Sequence, residues 1–167
     1  MTISGTNTVQ NPAPNVGEYW VGQGGIYAGI MPDYVGHSPQ HLIFSVDEKT
    51  NVQWGGYSVA EPDASSLHDG DSNTDALMRC PHWHPAARWA SEYTKDGHSD
   101  FHLPSRIEWE VAAATIQDAF ARGAWYWSSS GYSPTSAYGI NFGGMMDLVH
   151  LFKTFDGRAR AVRTIPA

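Results

Sequence analysis

The C-terminal stretch from Trp125 to Ile165 constrains the fold most, because it contains short β-prone segments separated by turn signals. Four such segments follow one another: Trp125–Ser128, Ala137–Phe142, Asp147–Phe155 and Arg158–Ile165. Gly143-Gly144 and Asp156-Gly157 separate the last three, and such pairs are typical of tight β-hairpins. We therefore predict a four-stranded antiparallel meander that buries one face and exposes the other face, with its turns, to solvent.

The chain before this meander carries strand signals and then helix signals. The strand-like runs are Glu18–Gly22, Ile26–Ile30 and His41–Asp47. Ser105 and Glu108 form a capping box, and apolar residues at helical spacing follow it, which predicts an amphipathic helix over Arg106–Ile116. A second helix over Pro85–Tyr93 begins with proline at an early helical position, and Asp75–Arg79 fits a short helical turn. Strands, two helices and a meander in this order predict an α+β domain.

Length and the polar N-terminus indicate the domain organisation. A chain of 167 residues suits a single domain with a substantial core. Met1–Val16 is rich in Thr, Asn and Pro and has no periodicity, so we interpret it as a linker or attachment arm before a folded domain of residues 17–167. Met1–Gln10 lacks the layout of a signal peptide and no apolar run is long enough to span a bilayer. We therefore expect synthesis in a cytoplasm and no membrane contact.

Charge and cysteine content exclude two further classes. The net charge of −7 argues against a nucleic-acid partner, since affinity for phosphates needs clustered Lys and Arg. The basic cluster of the chain, Arg158, Arg160 and Arg163, lies on one predicted strand. Cys80 is the single cysteine, so an intrachain disulfide framework is excluded.

Two motifs carry a resemblance to known families. Phe101–Glu110 reads F-H-L-P-S-R-I-E-W-E, which is similar to a signature of C-type-lectin-like domains of the formylglycine-generating-enzyme type. Tyr126–Ser130 together with Arg158–Arg163 resembles the ending of the Lcl C-terminal domain-like family, which occurs in bacterial collagen-like adhesins and in phage structural proteins. The resemblance covers roughly residues 17–165. It implies a C-type-lectin-like fold, with two helices packed on antiparallel β-sheets and with the first and last strands paired.

The residues needed for catalysis are missing. The formylglycine-generating reaction needs a pair of active-site cysteines, and this chain has only Cys80. Ser128–Ser130 offers hydroxyls, but it lacks the nucleophile-elbow pattern, and no His or Asp is placed by sequence to activate one. We expect these serines to form hydrogen bonds within the fold. We therefore predict a protein that is not an enzyme and that needs no cofactor.

One segment raises the question of a zinc site. The run Cys80-Pro81-His82-Trp83-His84 contains thiolate and imidazole ligands, which suit zinc. These ligands do not complete a site, and no second cluster lies nearby in sequence. His37, His98 or His102 could complete it in space. We favour a loop that leads into a helix, and we predict no metal here.

A second segment raises the question of a calcium site. Asp69–Asp75 places oxygens at alternate positions, as a calcium loop does. It lacks the glycine at the sixth position and the glutamate at the twelfth. The alternative is a solvated loop in which Ser72 or Asn73 caps a helix that begins near Thr74. We predict no metal here either.

The candidate binding surface lies on the meander. Asp147–Phe155 carries apolar side chains on both faces, whereas a strand with one solvent-exposed face would alternate. Either this strand is buried on both sides, for example by another subunit, or one face presents an apolar binding patch. Adaptable methionines, aromatic rings and polar groups together are typical of recognition surfaces. The candidate ligand-binding residues are Tyr132, Tyr138, Asn141, Met145, Met146, Asp147, His150 and Lys153.

The resemblance implies where this surface would act. In phage tropism-determinant proteins, which share the wider fold, the C-terminal region is varied and forms the receptor face. The resemblance therefore implies a non-enzymatic binding module that recognises a bacterial surface glycan or protein receptor. This module would belong to a phage virion, as a tail fibre, tail tip or capsid decoration. Other virion proteins would hold the N-terminal arm, and a homotrimer would multiply weak single sites. The alternatives are a purely structural decoration or fibre cap and a location on a bacterial cell surface. An enzyme is the least favoured.

Overall fold

A seven-stranded sheet and three α-helices form the protein in the computed structural model, which describes residues 11–34, 36–143 and 147–167. The strands are β1 (Tyr19–Trp20), β2 (Gly25–Met31), β3 (Gln40–Val52), β4 (Trp125–Gly131), β5 (Ser136–Asn141), β6 (Asp147–Phe152) and β7 (Gly157–Pro166). The helices are α1 (Gly70–Arg79), α2 (Pro85–Glu92) and α3 (Arg106–Thr115). The predicted α+β class is confirmed, with three helices rather than two.

The last strand does not belong to the predicted meander. The sheet order is β1-β2-β3-β7-β4-β5-β6, so β4, β5 and β6 are successive antiparallel neighbours, but β7 lies between β3 and β4. β7 pairs antiparallel with β3, where Ile43 lies opposite Arg163, and parallel with β4, where Tyr126 lies opposite Arg158. The prediction of a hairpin at Asp156-Gly157 is therefore wrong. The chain leaves the edge of the sheet there and returns to its centre.

The position of β7 gives two buried arginine side chains their hydrogen-bond partners. The guanidinium of Arg160 donates a hydrogen bond to the carbonyl of Ser45 on β3. Arg163 Nε donates to Asp100 Oδ1 at 2.8 Å. Such partners are required because a buried charge without one is strongly unfavourable. The two-residue β1 pairs with β2 within the described ranges, so the implied pairing of the first and last strands is replaced by pairing of β7 with the thirteen-residue β3.

Helices cover both faces of the sheet and create two cores. On one face α3 packs over a cluster that includes Phe44, Trp109, Phe120, Tyr126 and Ile140. On the other face α1 and α2 pack over a cluster that includes Trp54, Leu77, Leu103, Trp127 and Ala161. The neighbours Tyr126 and Trp127 point to opposite faces because side chains alternate along a strand, so each supplies one core. Within the described ranges, no helix combines the length and apolarity needed to cross a membrane.

Helix α1 replaces the predicted loop at Asp69–Asp75. Asp69 is its N-cap, and the carboxylate Oδ1 accepts a hydrogen bond from the Ser72 N–H at 2.9 Å. Aspartate caps helices as well as serine or asparagine does, so the helix begins at Gly70 and not near Thr74. Successive side chains of a helix point in different directions, so the oxygens of this segment do not surround one point as those of a calcium loop do.

The other two helices lie where the sequence predicts them. Proline opens α2, and a capping box opens α3. The Ser105 hydroxyl accepts from the Glu108 N–H at 3.2 Å, and Glu108 Oε2 accepts from the Ser105 N–H at 2.7 Å. The box places the first turn of α3 against the sheet, beside the candidate surface described next.

Candidate functional site

Three aromatic rings meet at the free edge of the sheet. Tyr132, in the turn after β4, stacks on His150 of β6, with ring centroids 4.1 Å apart and ring planes at 9°. The ring of Tyr138 on β5 meets that of Tyr132 edge-on at 5.4 Å. Phe152 lies two residues beyond His150 and therefore on the same face of β6, and it is 65% exposed. We call Tyr132, Tyr138, His150 and Phe152 the aromatic surface.

The register of β5 and β6 produces this surface. Tyr138 pairs with His150, and Ile140 pairs with Leu148 on the same face. Ile140 and Leu148 lie in the core beneath α3. Arg106, the first residue of α3, lies over the Tyr138 ring with its guanidinium carbon 4.8 Å from the ring centroid. One face of the two strands thus changes from core to surface where α3 begins.

A groove of about 180 Å³ runs beside the exposed ring of Tyr132. Its wall includes two prolines and two serines: Pro62, Pro134, Ser65 and Ser133. Tyr132 is itself 54% exposed. Apolar walls with a few hydroxyl groups and an aromatic ring are the usual lining of small-ligand sites.

Lys153, which the sequence placed on this surface, lines the groove beside Tyr132, but its ammonium is engaged inside the protein. Its side chain is 1% exposed, and its ammonium donates to the Val59 carbonyl at 2.8 Å and to the Gly56 carbonyl at 3.4 Å. The same nitrogen lies 4.6 Å from the centroid of the Trp54 ring. Burial lowers the pKa of Lys153. This amine donates to backbone carbonyls that the fold brings to it from distant segments, and its role in ligand binding stays a prediction.

Some of the other candidate residues are described by the structure, and the rest lie outside the described residues. Asn141 lies on the face of β5 opposite to Tyr138, and its Oδ1 accepts from the Gly143 N–H at 2.7 Å, so it acts as a turn residue. Asp147 pairs with Asn141 at the far end of β6. Met145, Met146 and the side chain of Asp147 lie outside the described residues. Phe152 was missed, although its alternation with His150 was visible in the sequence.

The apolar side chains on both faces of β6 have a simple cause. Leu148 packs against the core beneath α3, and Leu151 packs against the core beneath α1 and α2. A second subunit is therefore not needed to explain them. Val149 and Phe152 remain exposed.

A polar cavity of about 340 Å³ lies between α1, the start of α3 and the loop after β2. We call it the acidic cavity, and its ionisable lining includes Asp69, Asp71, Asp75, Arg79, His102 and Glu108. His102 and Glu108 are both buried, and His102 Nε2 lies 3.0 Å from Glu108 Oε1. Burial alone would lower the pKa of His102, but the Glu108 carboxylate outweighs it and raises the pKa. Burial raises the pKa of Asp71.

Aromatic stacking closes one side of the acidic cavity. The Tyr34 ring stacks on His37 with centroids 4.4 Å apart and on His68 with centroids 5.1 Å apart. Burial, with the charges of the nearby carboxylates, raises the pKa of Tyr34 to about 12. From the sequence, Glu108 was predicted as part of the capping box and His102 as a residue that could complete a zinc site, but their pairing in a cavity was not predicted.

The three consecutive serines are engaged inside the protein. Ser128, Ser129 and Ser130 are all fully buried. Ser130 Oγ donates to the Ser66 carbonyl at 2.7 Å, and Ser129 Oγ accepts from the Asn73 amide at 3.2 Å. The prediction that they form hydrogen bonds within the fold is confirmed.

Comparisons with known proteins show a likeness to a solved structure. Protein-family models yield no match to the chain, and curated proteins yield none either. Among solved structures, the chain is similar to the crystal structure of a fimbrial protein from Bacteroides ovatus ATCC 8483, with a TM-score of 0.55 and 12% sequence identity. The likeness covers 73% of this chain and 35% of that one, so this chain spans about a third of the fimbrial protein's length. At this identity the likeness shows a shared fold alone.

Proposed function

We propose that this protein is a C-type-lectin-like binding module of the Lcl C-terminal domain-like family, whose aromatic surface recognises a glycan on a bacterial surface. The observation that carries the proposal is the exposed Tyr132–His150 stack beside a small groove. Its mechanism is stacking of a sugar ring on Tyr132, with hydrogen bonds from the sugar hydroxyls to oxygen atoms of the groove. Exposed tyrosines suit this task because they supply a large contact area with few rotatable bonds.

The interior supports binding rather than catalysis. The hydroxyls of Ser129 and Ser130 are committed to internal hydrogen bonds. His102 and Glu108, the buried acid–base pair of the acidic cavity, are bonded to each other. A cysteine pair of the formylglycine-generating kind is excluded by composition. These groups stabilise the scaffold, and the aromatic surface is left to contact a ligand.

The proposed setting is a phage virion, in a tail fibre, a tail tip or a capsid decoration. Met1–Val16 would attach the domain to other virion proteins, and a homotrimer would add the affinities of three weak sites. A bacterial cell surface is the alternative setting, and it is favoured by the similarity to a protein named for a surface appendage, the fimbria.

A second candidate function is structural, and the free edge of the sheet favours it. β6 is the last strand in the sheet order, and Val149 and Phe152 on it are exposed. An exposed apolar edge strand can pair with another chain. In that case Val149→Asp should dissociate an oligomer measured by light scattering while leaving the monomer folded. If the wild-type protein is a monomer by light scattering, the structural function is contradicted.

The binding proposal is tested with Tyr132→Ala and Tyr138→Ala. We expect adhesion of the purified protein to bacteria to fall at least about tenfold, which corresponds to about 1.4 kcal/mol of lost stacking. Soluble surface polysaccharide should compete with adhesion of the wild type. Tyr57→Ala is the matched control, since Tyr57 is 49% exposed outside the aromatic surface. Equal adhesion by all three variants removes the aromatic surface from the argument.

A further inference from the structure

Three potential metal ligands from separate segments meet beside the loop that joins α1 to α2. Glu61 precedes a short 3-10 turn, Cys80 ends α1, and His84 precedes α2. Their ligand atoms all lie within 4.8 Å of one another. The sequence suggested Cys80 and His84 but left the set incomplete, because Glu61 is nineteen residues away from Cys80.

The two distances from Glu61 match the edges of a tetrahedral zinc site, and the third pair, Cys80 and His84, lies within 4.8 Å. Zinc–ligand bonds of about 2.3 Å for sulfur and about 2.1 Å for nitrogen and oxygen give edges of about 3.6 Å and about 3.4 Å. Glu61 Oε1 lies 3.6 Å from Cys80 Sγ and 3.2 Å from His84 Nε2. Three protein ligands would leave a fourth position for water.

The surroundings of His84 direct one nitrogen into this cluster. Its side chain is 1% exposed, and Nδ1 lies 3.0 Å from the Trp54 carbonyl oxygen. A carbonyl can only accept, so Nδ1 carries a proton, and Nε2 is the ring nitrogen that faces the Glu61 carboxylate, where it can act as a metal ligand. A hydrogen bond from the non-ligating nitrogen to a carbonyl is the usual support of a metal-bound histidine.

Gly56 permits this close approach. A Cβ at position 56 would lie 2.6 Å from His84 Cε1, and the residue has φ +63°, which favours glycine. An open cavity of about 370 Å³ has Glu61 and Cys80 in its wall and gives an ion a route in. Lys153 adds a positive charge near Glu61 and Cys80. With a metal bound, the two anionic ligands, thiolate and carboxylate, would offset both the charge of Lys153 and that of the ion.

We propose that Glu61, Cys80 and His84 bind a zinc ion that ties together the ends of α1 and α2. Thiolate, imidazole and carboxylate together suit zinc better than calcium or magnesium, which take oxygen ligands. Glu61 also lines the groove beside Tyr132, but zinc binding is measured without a glycan, so the test of this site does not depend on the proposed function.

Equilibrium dialysis of the untagged protein against zinc, with metal analysis, tests the site. We expect one zinc ion per chain, and cobalt in its place should give the visible bands of a tetrahedral ion with a thiolate charge-transfer band. Cys80→Ser should remove that band and weaken zinc binding at least about 100-fold. His82→Gln, an exposed histidine of the same segment, should change neither.

A measurement on the wild type guards against a variant that fails to fold. Zinc should slow alkylation of Cys80, and a chelator should restore the rate. Sub-stoichiometric zinc, or equal affinity in the wild type and Cys80→Ser, overturns the proposal and leaves an ordinary His84–Glu61 contact. A larger loss in His82→Gln than in Cys80→Ser overturns it as well, since surface histidines would then hold the metal.

Discussion

The acidic cavity and the aromatic surface both begin at the first turn of α3, yet they differ in how their polar groups are satisfied. Glu108 reaches into the cavity, where it is buried and bonded to His102. Arg106, two residues earlier, lies over Tyr138 at the exposed sheet edge. A buried charge must have partners, whereas exposed rings held by stacking have weak internal contacts. We therefore expect the His102–Glu108 pair to stabilise the fold, and we propose the aromatic surface for ligand binding.

The largest effect is expected from Glu108→Gln. The substitution keeps the side-chain volume and much of the capping geometry but removes the charge that faces His102. Breaking a buried ion pair costs about 3–5 kcal/mol, so the free energy of unfolding in urea should fall by that amount.

Glu110→Gln is the matched control on the same helix. Glu110 forms a partly exposed pair with Arg106 at 3.2 Å, and such pairs contribute about 0.5 kcal/mol. Comparable losses in the two variants would show that the cavity pair has no special weight, and the contrast between the two regions would fail.

Lys153→Met should give the next largest effect. The substitution preserves the aliphatic stem and removes the donor to the carbonyls of Val59 and Gly56, which should lower the free energy of unfolding by about 1–3 kcal/mol. Adhesion to bacteria by the folded protein should be unchanged. Lys49→Met, at an exposed position of β3, should stay within about 0.5 kcal/mol of the wild type. If adhesion is lost while stability is retained, Lys153 takes part in ligand binding.

The pH dependence of stability gives a smaller effect. The pKa of His102 is raised above its ordinary value of 6.5 in the folded state, so the folded protein holds the proton more tightly. The resulting stability is complete below about pH 6.5 and is lost as the pH rises through the folded-state pKa, by at most about 1.4 kcal/mol per pH unit. Urea midpoints between pH 6 and pH 9 should fall more steeply in the wild type than in Glu108→Gln. Parallel slopes would contradict the coupling.

The local parts of the fold could be predicted from the sequence, and the distant pairings could not. The capping box of Ser105 and Glu108 marks the start of α3 because both partners lie within one helical turn. The place of β7 depends on acceptors for Arg160 and Arg163, which come from Ser45 and Asp100, far away in sequence. Local turn signals therefore favoured a hairpin that does not form.

The same limit applies to the candidate surface. Tyr138 and His150 could be placed together because they lie on adjacent strands, where alternation fixes the face, and Tyr132 lies in the turn that precedes the first of these strands. The burial of Lys153 could not be predicted, because the carbonyls that accept from its ammonium belong to a loop almost a hundred residues earlier. Glu61, the third member of the proposed zinc site, was missed for the same reason: three-dimensional proximity leaves no mark on sequence spacing.

The smallest effect is expected from a double-mutant cycle at the aromatic surface. Tyr132→Ala and His150→Ala should each change the free energy of unfolding by about 0.5 kcal/mol, and their coupling should be about 0.5 kcal/mol, because a stack this exposed displaces little water on folding. Val21→Ala, next to β1 at the opposite edge of the sheet, should show no coupling to Tyr132. A coupling above about 2 kcal/mol would mean that the stack holds the fold together, as the His102–Glu108 pair does. The loss of adhesion in Tyr132→Ala would then reflect unfolding of the edge, and the division between a folding interior and a binding surface would have to be drawn elsewhere.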